Sequence, residues 1–223
     1  MDVIKIKEQC LVLAVFLLLS VSAFAGEWEL VKDEDDIRVY TRAVEGSDYK
    51  AFRGESIVNA ELNQVMALLD DTSGFVHWMF KCKSPKLLYK VSLMDRYQYL
   101  QNDFPWPAAD REMILRNEIY QDTVTRVTTV KLSGVKADAL PESAQATLPT
   151  KTNAVRVDEV AGFFELTPLS DTQTKVVFQL HLNPVGALPA SLVNSMIVDN
   201  PFETLKAMRI RVALPEYANF NPF

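Results

Sequence analysis

The chain has 223 residues, a net charge of −6, 48% hydrophobic residues and 7 glycines. Its acidity argues against nucleic acid and against simple electrostatic docking on an anionic surface, because both need an excess of cations. No glycine falls in a GxGxxG or GxxxxGK[ST] pattern, and His77 and His181 have no second ligand at metal-binding spacing, so neither a nucleotide cofactor nor a metal site is expected.

At the N-terminus, Lys5 and Lys7 precede an apolar run from Cys10 to Leu19, and SVSAFA supplies Ala23 and Ala25 ahead of Gly26. This is the pattern of a secretory signal peptide with a small-residue cleavage site. The run from Cys10 to Ala25 is shorter than the ~20 apolar residues of a spanning helix, so residues 1–25 are expected to be removed. The protein is then exported, to the periplasm where the source has an outer membrane. Residues 26–223 are read as one soluble domain with Cys82 as its only cysteine, which excludes an intrachain disulfide.

The runs IRVYTR (37–42) and YKAFRGESIV (49–58) alternate apolar and polar residues and predict a hairpin. Asn59 is expected to cap a helix carrying Leu62, Val65, Met66, Leu68 and Leu69. A short helical stretch with Phe75, Trp78 and Met79 follows, with His77 facing solvent. From Met94 onward, MDRYQYLQ, REMILRNEIY, TVTRVTTVKL, AVRVDEVAGFFEL and TKVVFQLHL read as strands of a connected antiparallel sheet. In the last of these, Val176, Phe178, Leu180 and Leu182 share a face and His181 lies on the other. The stretch Ser133–Asn153 interrupts the strands with Pro141 and Pro149. It is read as a lid, with a binding loop or a disordered segment as alternatives. Beyond Asn183, PVGALP leads into a C-terminal helix with two apolar stripes, one through Leu192, Val193, Met196 and Ile197 and one through Leu205, Met208 and Val212. Pro201 stands between them and is expected to kink the helix.

Three stretches together carry a family resemblance. FPWPAADREMI (104–114) is a proline-aromatic corner followed by an Arg-acid pair, NPVGALPASLVN (183–194) holds a Pro-x-Gly-x-x-Pro approach to a helix, and PFETLKAMR (201–209) lies within that helix. In this order the chain resembles the START lipid-binding domain family. The resemblance implies an α+β helix-grip fold, a curved antiparallel sheet wrapped around a long C-terminal helix with a tunnel between them for one lipid-sized molecule. In the corner, Trp106 is expected to fill the turn and Arg111 to pair with Asp110 or Glu112.

Along REMILRNEIY, Met113, Leu115 and Ile119 share a face with Asn117, which makes Asn117 a polar interruption and the first candidate to hold a head group or hydroxyl. An amide bonded to backbone at the sheet rim is the other reading. Sterol-binding relatives place an arginine and an acid on this strand and the preceding one. The resemblance aligns those places with Asn117 and Gln98, so amides stand where such relatives carry an ion pair, and sterol recognition is not carried over. Tyr97 and Tyr99 are further candidates because the phase of MDRYQYLQ is open. Met113, Leu115, Phe178, Leu192, Met196 and Leu205 are the expected apolar liners. The Ser133–Asn153 loop and the turn near Gly186 are expected to gate access.

The expected function is non-enzymatic carriage or sensing of a lipid or other hydrophobic small molecule by a monomer, with no catalytic residue and with transient membrane contact. Two alternatives remain at this point. An enzyme resembling polyketide aromatases and cyclases would need titratable groups inside the tunnel. A protein-interaction module would have a filled core.

Overall fold

Period-two alternation builds ten strands in the computed structural model, which describes residues 26–220 apart from Lys151 and Ala187. The segment read as a signal peptide, residues 1–25, lies outside the described residues. The strands are β1 (Glu29–Glu34), β2 (Ile37–Arg42), β3 (Ala51–Val58), β4 (Lys86–Ser92), β5 (Asp95–Asn102), β6 (Arg111–Gln121), β7 (Thr128–Gly134), β8 (Val155–Val157), β9 (Val160–Ser170) and β10 (Gln173–Leu182). They form one sheet in the order β1-β2-β3-β10-β9-β7-β6-β5-β4, with β8 added alongside β6. The last strand, β10, is central: it pairs with β3 on one side, Val58 opposite Thr174, and with β9 on the other. The sheet curves around the C-terminal helix without closing into a barrel.

The inner face collects the buried members of each alternation, among them Val39, Phe52, Phe164, Val176 and Phe178. Phe164 stacks on Phe178 at 4.2 Å between ring centres, and Phe52 meets Phe178 edge-on at 5.0 Å. Two helices cover this face, α1 (Leu62–Asp70) and the long α3 (Ala190–Arg211), while the short α2 (Glu142–Gln145) lies elsewhere.

How closely α3 can approach the sheet is decided at Gly54 on β3. A Cβ at that position would stand 2.7 Å from Pro201 Cβ and 2.9 Å from Leu205 Cδ1, so only glycine lets the second half of α3 sit directly on the strand. That half is also tied at its outer side, where Arg209 donates to the Asp36 and Ile57 carbonyls and Lys206 reaches Asp35 at 2.7 Å. The first half, Val193 to Asn200, borders open space instead.

Several elements depart from the sequence reading. The helix α1 is capped by Glu61, whose N–H donates to the Gln64 side chain at 3.2 Å, and Asn59 accepts instead from Gln173. A strand that the alternation did not reveal, β4, runs along the sheet edge; its lysines and two register shifts break the period, and Leu87, Tyr89 and Val91 remain exposed. The run TVTRVTTVKL begins as a turn in which Asp122 accepts from the N–H groups of Val124 and Thr125, so β7 starts only at Thr128. AVRVDEVAGFFEL divides into β8 and β9, and β8 pairs with β6 in parallel, an exception to the expected antiparallel sheet.

The Ser133–Asn153 stretch is not a lid over the concave face. It folds into a turn at Ala137–Ala139 and then α2, and packs Leu140 and Ala144 onto Leu88, Tyr99 and Ile114 on the opposite, convex face. Its small alanines allow this close cover. A buried carboxylate secures the end of the stretch: Glu112 accepts from Tyr99 at 2.7 Å, from Thr152 at 2.6 Å and from Arg156 at 2.6 Å. Burial alone would raise the Glu112 pKa, but these bonds outweigh it and hold the carboxyl below its usual range.

Two outcomes follow. Gly54→Ala should destabilise the protein by about 1–3 kcal/mol, since the added methyl forces α3 outward, as urea unfolding will measure. Because the folded pKa of Glu112 is depressed, its contribution is complete above the unfolded carboxyl range, about 4.3, and is lost as pH falls through the lower folded value. The protection factors of residues 140–148, which correct amide exchange for its intrinsic slowing in acid, should therefore fall at low pH, and Glu112→Gln should show reduced protection already at neutral pH.

Candidate functional site

Between the first half of α3 and strands β5, β6, β7 and β10 lies a cavity of about 110 Å³. Its walls follow from the alternation: Met113 and Leu115 of β6, Leu132 of β7, and Phe178, Leu180 and Leu182 of β10 point in from the sheet. Val193, Met196 and Ile197 face them from α3, and Met79 and Phe80 from the segment after α1 complete the apolar lining. A smaller hollow of about 20 Å³ adjoins it at the deep end, sharing Met79, Leu100, Leu115 and Leu132 and adding Gln98 and Asn117.

The deep end is polar in a chain of buried bonds. Asn117 Nδ2 donates to Gln98 Oε1, and Gln98 Nε2 donates to Thr72 Oγ1, each at 2.5 Å. The side-chain carbonyl oxygen of Asn117 is buried with no partner among the described residues. One pleat further, Arg96 lies opposite Asn117 in the β5–β6 pairing and is only 1% exposed. Its guanidinium donates to Asp70 and to the Leu69 carbonyl, and Lys90 joins the same carboxylate at 2.8 Å. Burial pushes the Arg96 pKa down, and the Asp70 charge opposes that shift. An ion pair thus exists at this end of the fold, displaced by one pleat from the amides that occupy the expected places.

The wall turns polar at its mouth, which is lined by Tyr49 and Lys50 ahead of β3, Lys81, Asn102 and Asp103 at the end of β5, and Arg111 at the start of β6. Arg111, the first residue of β6, is 3% exposed and holds the β5–β6 and β10–α3 loops together by donating to the carbonyls of Pro184 at 2.7 Å, Ala109 at 2.6 Å and Val185 at 2.9 Å. It also stacks over Phe104 at 4.8 Å, and burial lowers its pKa. The expected pairing with Asp110 or Glu112 is absent: Asp110 is taken by Lys83 and Gln101, and Glu112 by Arg156. Trp106 does not fill the corner. It follows Pro105, is joined to Pro107 by a cis peptide, and stands 92% exposed, two residues beyond Phe104 of the cavity wall.

Of the residues proposed from sequence, Met113, Leu115, Phe178 and Met196 line the main cavity, and Gln98 and Asn117 line its deep extension. Leu205 is buried off the cavity, against Gly54, and Leu192 is turned outward, 37% exposed. Tyr97 and Tyr99 are corrected to the convex face, where Tyr99 joins Leu140 and Ala144 and its hydroxyl bonds Glu112. Arg96 was missed, although it shares the period-two phase of Gln98 and Leu100; the aromatic rings at 97 and 99 obscured that phase. Of the two parts expected to gate access, the Ser133–Asn153 loop covers the convex face instead, while the turn near Gly186 lies in the β10–α3 loop that Arg111 grips. Asp103 is the one carboxylate among the described residues lining the cavity, and it is held by Lys81 and Lys83, each at 3.3 Å.

Comparison with known proteins agrees with this architecture. The family model described as START domain matches residues 12–216. An uncharacterized protein of Pseudomonas aeruginosa is 34% identical over 188 residues, covering 84% of this chain and 88% of its own. The crystal structure of a STAR-related lipid transfer protein from Xanthomonas axonopodis superposes with a TM-score of 0.73 at 32% identity, over 85% of this chain and 100% of that one. Human StAR-related lipid transfer protein 5 shares the fold, with a TM-score of 0.68 at 17% identity over 92% of this chain and 93% of its own. With the family model spanning most of its length and bacterial relatives at 34% and 32% identity, the chain belongs to the START domain family.

Proposed function

We propose that the protein is a non-enzymatic carrier or sensor that holds a lipid or other hydrophobic small molecule between α3 and the sheet, acting as a monomer. The observation that carries this reading is the apolar cavity of about 110 Å³ left where the first half of α3 stands off the strands. A dry cavity of similar scale, ~150 Å³, takes up benzene, so the space as it stands fits part of a hydrocarbon chain. A whole lipid needs the first half of α3 to move outward. That half has few polar ties, chiefly Asn194, which accepts from the Lys50 N–H at 3.0 Å. Pro201 interrupts the helical hydrogen bonds at the junction with the anchored half.

Withdrawal of hydrocarbon from water supplies the driving force, ~0.8 kcal/mol per methylene before ordering costs. No covalent step is needed. The Xanthomonas relative, a STAR-related lipid transfer protein, points the same way. The proposal includes export, with residues 1–25 as a cleaved leader, and a transient contact with a bilayer surface. Trp106 supports that contact, because an exposed indole two residues from the cavity wall suits the boundary between water and acyl chains.

Native mass spectrometry of protein purified from its own compartment should show an added mass, recoverable by solvent extraction. Met196→Trp should fill the cavity and abolish that mass while leaving cooperative unfolding intact; undiminished occupancy would count against the cavity as the binding place. Trp106→Ala should reduce co-sedimentation with phospholipid vesicles and slow ligand transfer, with equilibrium occupancy unchanged. If vesicle binding is unaffected, membrane contact through the mouth is wrong.

A further inference from the structure

The mouth of the cavity is charged against the sign of the whole protein. In a chain of net charge −6, the lining charges are Lys50, Lys81 and Arg111 against Asp103 alone. Lys81 is matched by Asp103, and Lys50 meets only an exposed Glu29 at 3.9 Å. Arg111 has no carboxylate partner among the described residues, since its neighbours Asp110 and Glu112 are paired elsewhere. A buried cation without a counter-charge is expensive unless something compensates it. Three backbone carbonyls do so in part, but a guanidinium carries more N–H donors than three carbonyls take up. The loop that Arg111 grips runs directly into α3, whose first turn has no side-chain cap.

We infer that the ligand is an anionic amphiphile, its carboxylate or phosphate head held at the mouth by Arg111 and Lys50 and its single apolar chain directed inward past Met113, Leu115 and Phe178. This rests on the carrier reading above and adds the charge and orientation of the guest. An anion here meets its donors in a low-dielectric wall, where charge-assisted bonds are strongest. A neutral head would leave the Arg111 charge unmatched.

Dodecanoate, dodecyl phosphate and dodecan-1-ol carry the same alkyl chain and separate the two claims when titrated calorimetrically into delipidated protein. At least one anion should bind roughly ten-fold or more tightly than the alcohol, and the order of the two anions identifies the head. Arg111→Gln should erase most of the gap. Because that change also frees the two loops, Lys50→Gln serves as a second variant: it should narrow the gap while leaving the alcohol's affinity unchanged. Binding of the alcohol as tightly as both anions overturns the anionic head but keeps the carrier. Failure of all three to bind overturns both.

Discussion

The contact between α3 and β3 at Gly54 sets the geometry on which the cavity depends. A helix lying on a curved sheet cannot touch it everywhere, and the residue without a side chain determines where it touches. With Pro201 and Leu205 pressed onto Gly54, the preceding turns are carried away from β6 and β7. The apolar side chains of both surfaces then line a space that neither fills. Close packing at one end and separation at the other are therefore one fact, produced by a single missing Cβ.

Polarity is distributed along this space in a way that distinguishes its two ends. Arg111 and Asn117 lie on the same face of β6, six residues apart, which at ~3.4 Å per residue amounts to about 20 Å. The outer end carries full charges, Lys50, Lys81 and Asp103 partly exposed and Arg111 buried. The inner end carries the neutral amides of Gln98 and Asn117, with one side-chain carbonyl oxygen lacking a donor among the described residues. The Arg96–Asp70 pair lies beyond them, held from α1 and outside the lining of either hollow, with Arg96 Nε buried and unbonded among the described residues.

The order of elements and the faces of the longer strands were legible in the sequence, because Val176, Phe178 and Leu180, or Met113 and Leu115, record burial directly in a period of two. The MDRYQYLQ strand was not, since both of its faces are buried: tyrosines meet the α2 segment on one side while Arg96 and Gln98 meet the core on the other. Alternation fails as a guide when a second layer covers the convex face. The role of Ser133–Asn153 was hidden for the same reason, as its composition of alanine and proline describes a loop without saying which surface it covers. Arg111 illustrates a different limit. Acids on either side of it in sequence suggested an ion pair, yet neighbouring residues on a strand point to opposite faces, and two of its three carbonyl partners lie more than seventy positions away.

The central position of β10 bears on how the chain assembles. Until Gln173–Leu182 emerges, the strands up to β3 and those from β4 to β9 are two half-sheets with raw edges, joined only when this last strand is inserted between them. Such distant pairing delays completion of the hydrophobic layer to the end of synthesis. A nascent chain of this design keeps both half-sheets unjoined almost to its final helix.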